Sequence, residues 1–165
     1  MINGPEPLSF AQERREGFLN SMRAHGLTVP DFALRHGVLT SDQGYTSALS
    51  LLSERRGPRP SAIVCASTTI ADGVYRAAKD LRLSIPTDLS VIAHDDAIPE
   101  MRAVNFEPAL TVTRSPIRDA SEPLAPAVQE LLKGKEPKTL QTLARAELIV
   151  RNSTAPAPKD RTEKW

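Results

Sequence analysis

The chain has 165 residues, of which 40% are hydrophobic and 25% charged, and its formal net charge is +1. It is long enough for one domain with a substantial core and short for two domains. Its near-neutral charge gives no basic surface for nucleic acid or an anionic membrane. Because no apolar run approaches the roughly 20 residues of a membrane span and the N-terminus has no signal-peptide pattern, we expect a cytoplasmic protein without a membrane partner.

The first predicted helix covers residues 10–25. Ser9 and Gln12 have the spacing of a capping box, with Ser9 as the N-cap, and Gly26 suits the left-handed position that follows many helices. The residues before this helix are too few for the full strand that normally precedes a helix packed on a parallel sheet. The sequence therefore predicts a lobe that is truncated at its N-terminus.

Strands and helices then alternate along the chain. The predicted strands cover residues 32–38, 62–66 and 89–94, and the helices between them are capped at 40–42 and by Thr68 or Thr69. Short apolar runs without alternation are typical of strands that are buried on both faces. This order predicts an α/β fold with a doubly wound, mostly parallel sheet flanked by helices.

The alternation ends after residue 96. Residues 97–109 are predicted to form a loop, and residues 110–114 a further strand. The next helix should begin at or after Ser121, so that Pro123 and Pro126 fall in its first turn, because an interior proline costs roughly 3 kcal/mol.

The C-terminal part of the chain contains one more predicted strand, at residues 146–150. Residues 153–165 are rich in proline, alanine and charge, which is typical of a disordered tail. We therefore expect residues 1–152 to form the folded lobe.

Polar residues follow two of the predicted strands. Asp95 and Asp96 end one apolar run, and Ser67 and Thr68 follow the strand at 62–66. The carboxyl ends of parallel strands meet at one edge of a sheet, and open α/β sheets bind their ligands there. The pattern predicts half of a binding cleft.

Each of these residues also has a plain structural interpretation. Ser67 and Thr68 stand where helix N-caps are common, Asp96 where an aspartate often caps a turn, and His94 where a histidine often packs at a strand end. Cys65, the single cysteine, lies in a predicted buried strand and is expected to be a core residue. The histidines lack metal-ligand spacing, no nucleophile has a recognisable context, and no glycine-rich phosphate loop is present. We therefore expect no catalytic residue, no metal site and no cofactor.

Four short motifs occur along the chain in a defined order. Asn3–Pro5 followed by Arg14–Phe18 resembles the Gly-Pro…Arg-x-x-Gly-Phe signature of LacI-type transcriptional regulators. Asp88–Asp96 resembles the strand of these regulators that ends in two aspartates. Pro108–Val112 resembles their Pro-Pro-Leu-Thr segment, and Leu131–Gly134 the end of their last long helix.

This resemblance, which covers residues 3–152, implies one lobe of a two-lobed core similar to periplasmic sugar-binding proteins. In that family a small effector, often a sugar or nucleobase, binds between the lobes and changes the affinity for DNA. The resemblance also implies that residues 114–136 belong to or reach toward the other lobe. DNA would be bound only through an N-terminal domain missing from this chain. A homodimer is implied, formed near residues 69–81 and 97–107.

The resemblance also implies effector-binding residues. Arg14 matches an arginine that hydrogen-bonds the effector, and Asp95 matches a carboxylate that accepts hydrogen bonds from sugar hydroxyls. Ser67 falls where the family often has Asn or Asp, and Leu39 where it often has an aromatic residue that stacks on the ligand. The departure at Leu39 implies weaker stacking. Secondary candidates are Thr68, His94 and Asp96.

Two other functions fit parts of the pattern. A transport-type solute-binding protein has the same fold, although the missing signal peptide counts against it. Asp95 and Asp96 are also similar to the acidic pocket of a phosphotransfer or magnesium enzyme. That pocket needs a carboxylate phosphoacceptor and a lysine, whereas residues 66–68 and 110–114 offer Ser, Thr and Arg. The sequence favours a non-enzymatic sensor, namely the effector-binding and dimerising part of a LacI-type repressor or activator.

Overall fold

The computed structural model describes residues 1–53, 59–95, 98–114 and 117–157, with the backbone alone for Asp95 and for residues 117–120. The strands are β1 (Ile2–Asn3), β2 (Arg35–His36), β3 (Ala62–Cys65), β4 (Ser90–Asp95), β5 (Thr111–Arg114) and β6 (Glu147–Ile149). The helices are α1 (Ser9–Ala24), α2 (Ser41–Leu52), α3 (Thr68–Asp80) and α4 (Ile117–Leu132). No helix of these described ranges is both long enough and apolar enough to cross a bilayer.

The strands form one six-stranded sheet in the order β2-β1-β3-β4-β5-β6. The first five strands run parallel, and β6 pairs antiparallel with β5. From β1 the chain goes outward to β2, then crosses back over β1 to β3 and continues in the opposite direction. The predicted doubly wound, mostly parallel sheet is thus confirmed. The reversal creates a topological switch point between β1 and β3, where open α/β sheets bind ligands.

The main core lies between the sheet and the helices α2 and α3. Its largest fully buried aliphatic side chains are Ile2, Ile63, Ile70, Val74, Leu89, Val91, Leu110 and Val112. Side chains of this size each stabilise the fold by about 1.5–3 kcal/mol when they are removed from water. In α3 the predicted inward face is confirmed, because Ala71, Val74 and Ala78 are buried and Tyr75 packs against the core.

The helices α2 and α3 approach each other so closely that two glycines are required. A Cβ atom on Gly73 would collide with the backbone oxygen of Ser41, and one on Gly44 with the backbone oxygen of Ile70. Polar side chains tie the same helices together. The Ser41 hydroxyl donates a hydrogen bond to Asp72, and the Tyr45 hydroxyl donates one to Asp80 at 2.8 Å.

The start of α1 differs from the predicted capping box. Leu8 is the N-cap, Ser9 is the first helical residue, and no side chain caps the helix. The Leu8 carbonyl accepts the first helical hydrogen bonds, while the Gln12 side chain donates to the Glu6 carbonyl at 3.1 Å. The Gln12 side chain thus bonds to the turn before the helix and does not form the predicted capping box. At the other end Gly26 has φ of +70°, as predicted.

The helix α4 begins at Ile117, so the prediction of a start at or after Ser121 is wrong. Pro123 and Pro126 therefore lie inside the helix. All residues from 121 to 126 are exposed. Water can therefore hydrogen-bond to the Glu122 carbonyl, which has no N–H partner at Pro126, and this lowers the cost of that proline.

The prediction of a disordered tail from Ser153 onward is wrong for its first residues. Ser153 is fully buried, and its hydroxyl donates to the Val91 carbonyl at 2.6 Å and accepts from the Thr111 amide at 2.7 Å. The Ser153 carbonyl accepts a further bond from the Val91 amide. One serine thus joins β4 to β5 at the edge opposite the candidate site. Residues 158–165 lie outside the described part of the chain.

Replacing Gly73 with alanine should destabilise the fold by about 1–3 kcal/mol or more, because backbone atoms of α2 occupy the space that a methyl group needs. Gly17→Ala is the matched control, since nothing lies within 4 Å of its Cβ position and the change favours helix by about 0.5–1 kcal/mol. Urea unfolding measures both variants. Equal stability of the two variants would contradict the close α2–α3 contact.

Replacing Ser153 with alanine should destabilise the fold by about 1–3 kcal/mol, because the buried Thr111 amide loses its acceptor. The exposed Ser53 hydroxyl makes only a 3.4 Å contact, so Ser53→Ala should change stability by less than about 0.5 kcal/mol. Thermal unfolding of the two variants compares these losses. A Ser153→Ala variant as stable as Ser53→Ala would show that the tail is not part of the core.

Candidate functional site

The candidate site lies at the carboxyl edge of the parallel strands. Asn3 ends β1, Ser67 follows β3, and Asp95 ends β4. The strand register pairs Ile2 with Cys65 and Cys65 with Ala93, so Ser67 and Asp95 both stand two residues beyond this level, and Asn3 stands one residue beyond it. The backbone therefore brings Asp95 and Ser67 to the same edge, as the sequence predicts.

Arg14 reaches this edge from α1. Its Nη1 atom donates a hydrogen bond to the Ala66 carbonyl at 3.0 Å, next to Ser67. Its guanidinium carbon also lies 5.0 Å from the centre of the Phe10 ring. An arginine carries five N–H donors in a planar group and can therefore make several hydrogen bonds at once. The structure thus brings Arg14 and Ser67 together.

Ser67 is the N-cap of α3, so the prediction that Thr68 or Thr69 caps this helix is wrong. The Ser67 side chain is buried, and its hydroxyl accepts a hydrogen bond from the Ile70 amide at 3.1 Å. Its extended backbone, with φ of −153°, is typical of an N-cap. Thr68 is the first helical residue and is fully buried, and among the described residues its hydroxyl has no hydrogen-bond partner.

Asn3 is a polar residue of the site that the sequence analysis did not identify. It is buried, and its Nδ2 atom donates to the Ala11 carbonyl of α1 at 2.7 Å. Its Oδ1 atom has no hydrogen-bond partner within the described part of the chain. Its position as the last residue of β1, directly before Gly4 and Pro5, was the available signal.

Apolar side chains border the same edge near Gly4. A Cβ atom on Gly4 would lie 2.8 Å from the ring of Phe10 and 3.5 Å from Leu39. Leu39 is 38% exposed, and Leu8 is 45% exposed. The predicted site residue Leu39 thus lies close to Phe10 and, through that ring, to Arg14. Phe10 was not identified from the sequence because its position in the first turn of α1 gave no sign of contact with Arg14.

The secondary candidates have different environments. His94 is half-buried, and its Nδ1 atom lies 3.3 Å from the hydroxyl of Thr113, which links β4 to β5. This contact fits the packed histidine that the sequence analysis held as an alternative. Asp96 lies outside the described residues. For Asp95 the backbone pairs with that of Arg114 at the end of β5.

The residues on the core side of the site are apolar. Cys65 is fully buried directly before Ala66, and burial raises the pKa of its thiol to about 12. A thiol with this pKa is protonated at neutral pH and is a poor nucleophile or metal ligand. Among the described residues, no three His, Cys, Asp or Glu side chains are arranged to hold a metal ion.

A separate groove lies between α1 and β2. Charged side chains of both signs line it, namely Glu6, Arg15, Glu16, Arg23 and His36. None of the predicted site residues belongs to it. The candidate site itself is an open edge, as expected for one half of a cleft.

Comparison with known proteins identifies the family. A sequence profile described as "Periplasmic binding protein-like domain" matches residues 1–154. The chain is 40% identical over 158 residues to the HTH-type transcriptional regulator AglR of Rhizobium meliloti, covering 96% of this chain and 44% of AglR. It is 27% identical over 158 residues to the HTH-type transcriptional repressor PurR of Klebsiella pneumoniae, covering 96% and 45% of the two chains. The chain thus spans less than half the length of these relatives.

Solved structures give the same result. A regulatory protein of the LacI family from Chloroflexus aggregans superposes with a TM-score of 0.81 at 30% identity, covering 93% of this chain and 54% of that one. A sugar-binding transcriptional regulator of the LacI family from Escherichia coli, in complex with phosphate, superposes with a TM-score of 0.80 at 26% identity, covering 94% and 54%.

The chain therefore belongs to the periplasmic binding protein-like domain family. Within this class it matches the effector-binding domain of LacI-type transcriptional regulators, and its alignment covers less than half of each of these curated relatives. The resemblance stated from the four sequence motifs is confirmed.

At pH 8, iodoacetamide should modify native Cys65 about a hundredfold or more slowly than the unfolded chain, because burial keeps the thiol protonated. A thiol pKa raised by folding also means that stability is lost as the pH rises from the ordinary thiol value toward 12. The control is a Cys65→Ser, Ser53→Cys variant, whose exposed thiol should react rapidly without denaturant. Rapid labelling of native Cys65 would contradict its burial.

Proposed function

We propose that the chain senses a small, neutral, hydroxyl-rich effector such as a sugar, and that binding between this lobe and a second lobe alters a DNA-binding domain located elsewhere in the full-length regulator. The observation that carries this proposal is the position of Arg14, beside Ala66 and Ser67 at the carboxyl edge of the sheet. There the backbone of β4 also presents Asp95.

The chemistry of the edge suits an effector that both donates and accepts hydrogen bonds. Arg14 supplies donors, and the carboxylate of Asp95 is an acceptor, so neighbouring sugar hydroxyls satisfy both. The Ser67 hydroxyl accepts a hydrogen bond from the Ile70 amide and still has its own proton to donate. Thr68, His94 and Asp96 remain secondary contacts in this proposal.

An apolar border completes this half of the cleft. Leu39, which is 38% exposed, offers a small aliphatic surface beside Gly4. Such a surface contacts the C–H groups of a sugar ring without the geometry of aromatic stacking. A sugar is further supported by the E. coli relative, which is a sugar-binding regulator.

The second lobe is proposed to pack against α4. Four large apolar side chains of this helix are exposed, with fractions between 47% and 83%, namely Leu124, Val128, Leu131 and Leu132. A helix with this much exposed apolar surface needs a partner. Residues 114–136 would then belong to the interface with the other lobe.

The full-length regulator is proposed to act in the cytoplasm as a homodimer that represses transcription. Relatives named as transcriptional repressors support this direction of regulation. The proposed dimer contact includes the outer face of α3 and residues 98–107, where Val104 is 49% exposed. The relatives are transcriptional regulators rather than enzymes or transport proteins.

Replacing Arg14 with alanine should weaken sugar binding about 10–100-fold, because a charge-assisted hydrogen bond contributes roughly 1.5–3 kcal/mol. Asp95→Asn should also weaken sugar binding. Arg15→Ala is the matched control, since Arg15 lines the separate groove. NMR titration of the 165-residue chain with maltose, cellobiose and a glycerol reference measures the dissociation constants. Equal losses for Arg14→Ala and Arg15→Ala would contradict the proposed site.

A further inference from the structure

A continuous set of contacts joins three residues that lie between the end of β1 and the second turn of α1. Gly4 follows β1, Phe10 lies in the first turn of α1, and Arg14 lies one turn later on the same helical face. Ring atoms Cε2 and Cζ of Phe10 lie 2.8 and 2.9 Å from the Cβ position of Gly4. The guanidinium carbon of Arg14 lies 5.0 Å from the centre of the same ring.

The Arg14 side chain makes a polar contact with the end of β3 and an aromatic contact within α1. One is the hydrogen bond from Nη1 to the Ala66 carbonyl at 3.0 Å, and the other is the cation–π contact with Phe10. A free arginine side chain samples many rotamers. Fixing one of them when a ligand binds costs conformational entropy, which lowers the affinity for the ligand. These contacts restrict the position of the guanidinium before any ligand binds.

Gly4 is the residue that allows this arrangement. A Cβ atom closer than 3.0 Å to another carbon is not tolerated, so any side chain at position 4 must push the Phe10 ring away. The colliding atoms are the outer end of a side chain rather than backbone. A methyl group here therefore displaces the ring with little effect on the rest of the fold.

We infer that Phe10 is a positioning residue, which holds the Arg14 guanidinium at the effector edge, and that Gly4 leaves the space the Phe10 ring needs. The inference rests on the proposed function, because it assigns Arg14 to the effector. In this inference the Phe10 ring contacts Arg14 and does not stack on the effector. The effector is therefore one that offers oxygen atoms as acceptors for hydrogen bonds from Arg14.

The first experiment observes Arg14 without any ligand. In the unmodified chain the Phe10 ring current should shift the NMR signals of the Arg14 side-chain protons away from their values in an unfolded arginine. Phe10→Leu and Gly4→Ala should remove this shift, and Phe10→Tyr should retain it. Gly17→Ala is the matched control, because nothing lies within 4 Å of its Cβ position in the same helix. Unchanged Arg14 signals in Phe10→Leu would overturn the inference.

The second experiment measures the affinity of the same variants for maltose and cellobiose. Phe10→Leu and Gly4→Ala should weaken binding about three- to tenfold, the range expected when a cation–π contact and its ordering effect are lost. Phe10→Tyr and Gly17→Ala should bind like the unmodified chain. If neither the unmodified chain nor the full-length regulator binds either sugar, the proposed function fails, while the NMR shifts still decide whether Phe10 holds Arg14. If Phe10→Leu binds the sugars as tightly as the unmodified chain, the inference is overturned.

Discussion

The peptide groups of Ala66 connect the parts of the molecule on which the site depends. The Ala66 amide donates to the Ile2 carbonyl at 2.9 Å, which aligns β1 with the end of β3. The Ala66 carbonyl accepts from Arg14 at 3.0 Å, which brings the side chain of α1 to the same point. A single residue thus fixes a strand and a helix on its two sides. This double contact brings Arg14 and Ser67 together at one end of the sheet.

Burial determines which groups at this edge can act chemically. Below Ala66 the core is apolar, and Cys65 is too well buried to ionise at neutral pH. Above it stand groups that donate or accept hydrogen bonds, such as the Arg14 guanidinium and the Ser67 hydroxyl. This chemistry suits reversible binding of a neutral molecule. It also agrees with relatives that regulate transcription.

Local sequence patterns predicted the elements that depend on burial alone. The parallel strands, the inward face of α3 and the edge that carries Ser67 and Asp95 follow from apolar runs and strand order. The patterns failed where a distant partner decides the outcome. Ser153 looked like part of a tail, yet it is buried because an amide of β5 and a carbonyl of β4 need its hydroxyl.

The sequence by itself determined the fold class, the family and the place of Arg14, Ser67 and Asp95 near the carboxyl edge of the sheet, because short-range periodicity and ordered motifs are written along the chain. Only the tertiary structure decided what Phe10, Asn3 and Gly4 do. Their contacts join residues of α1 to the ends of strands, and a contact across elements depends on distances that no local pattern records.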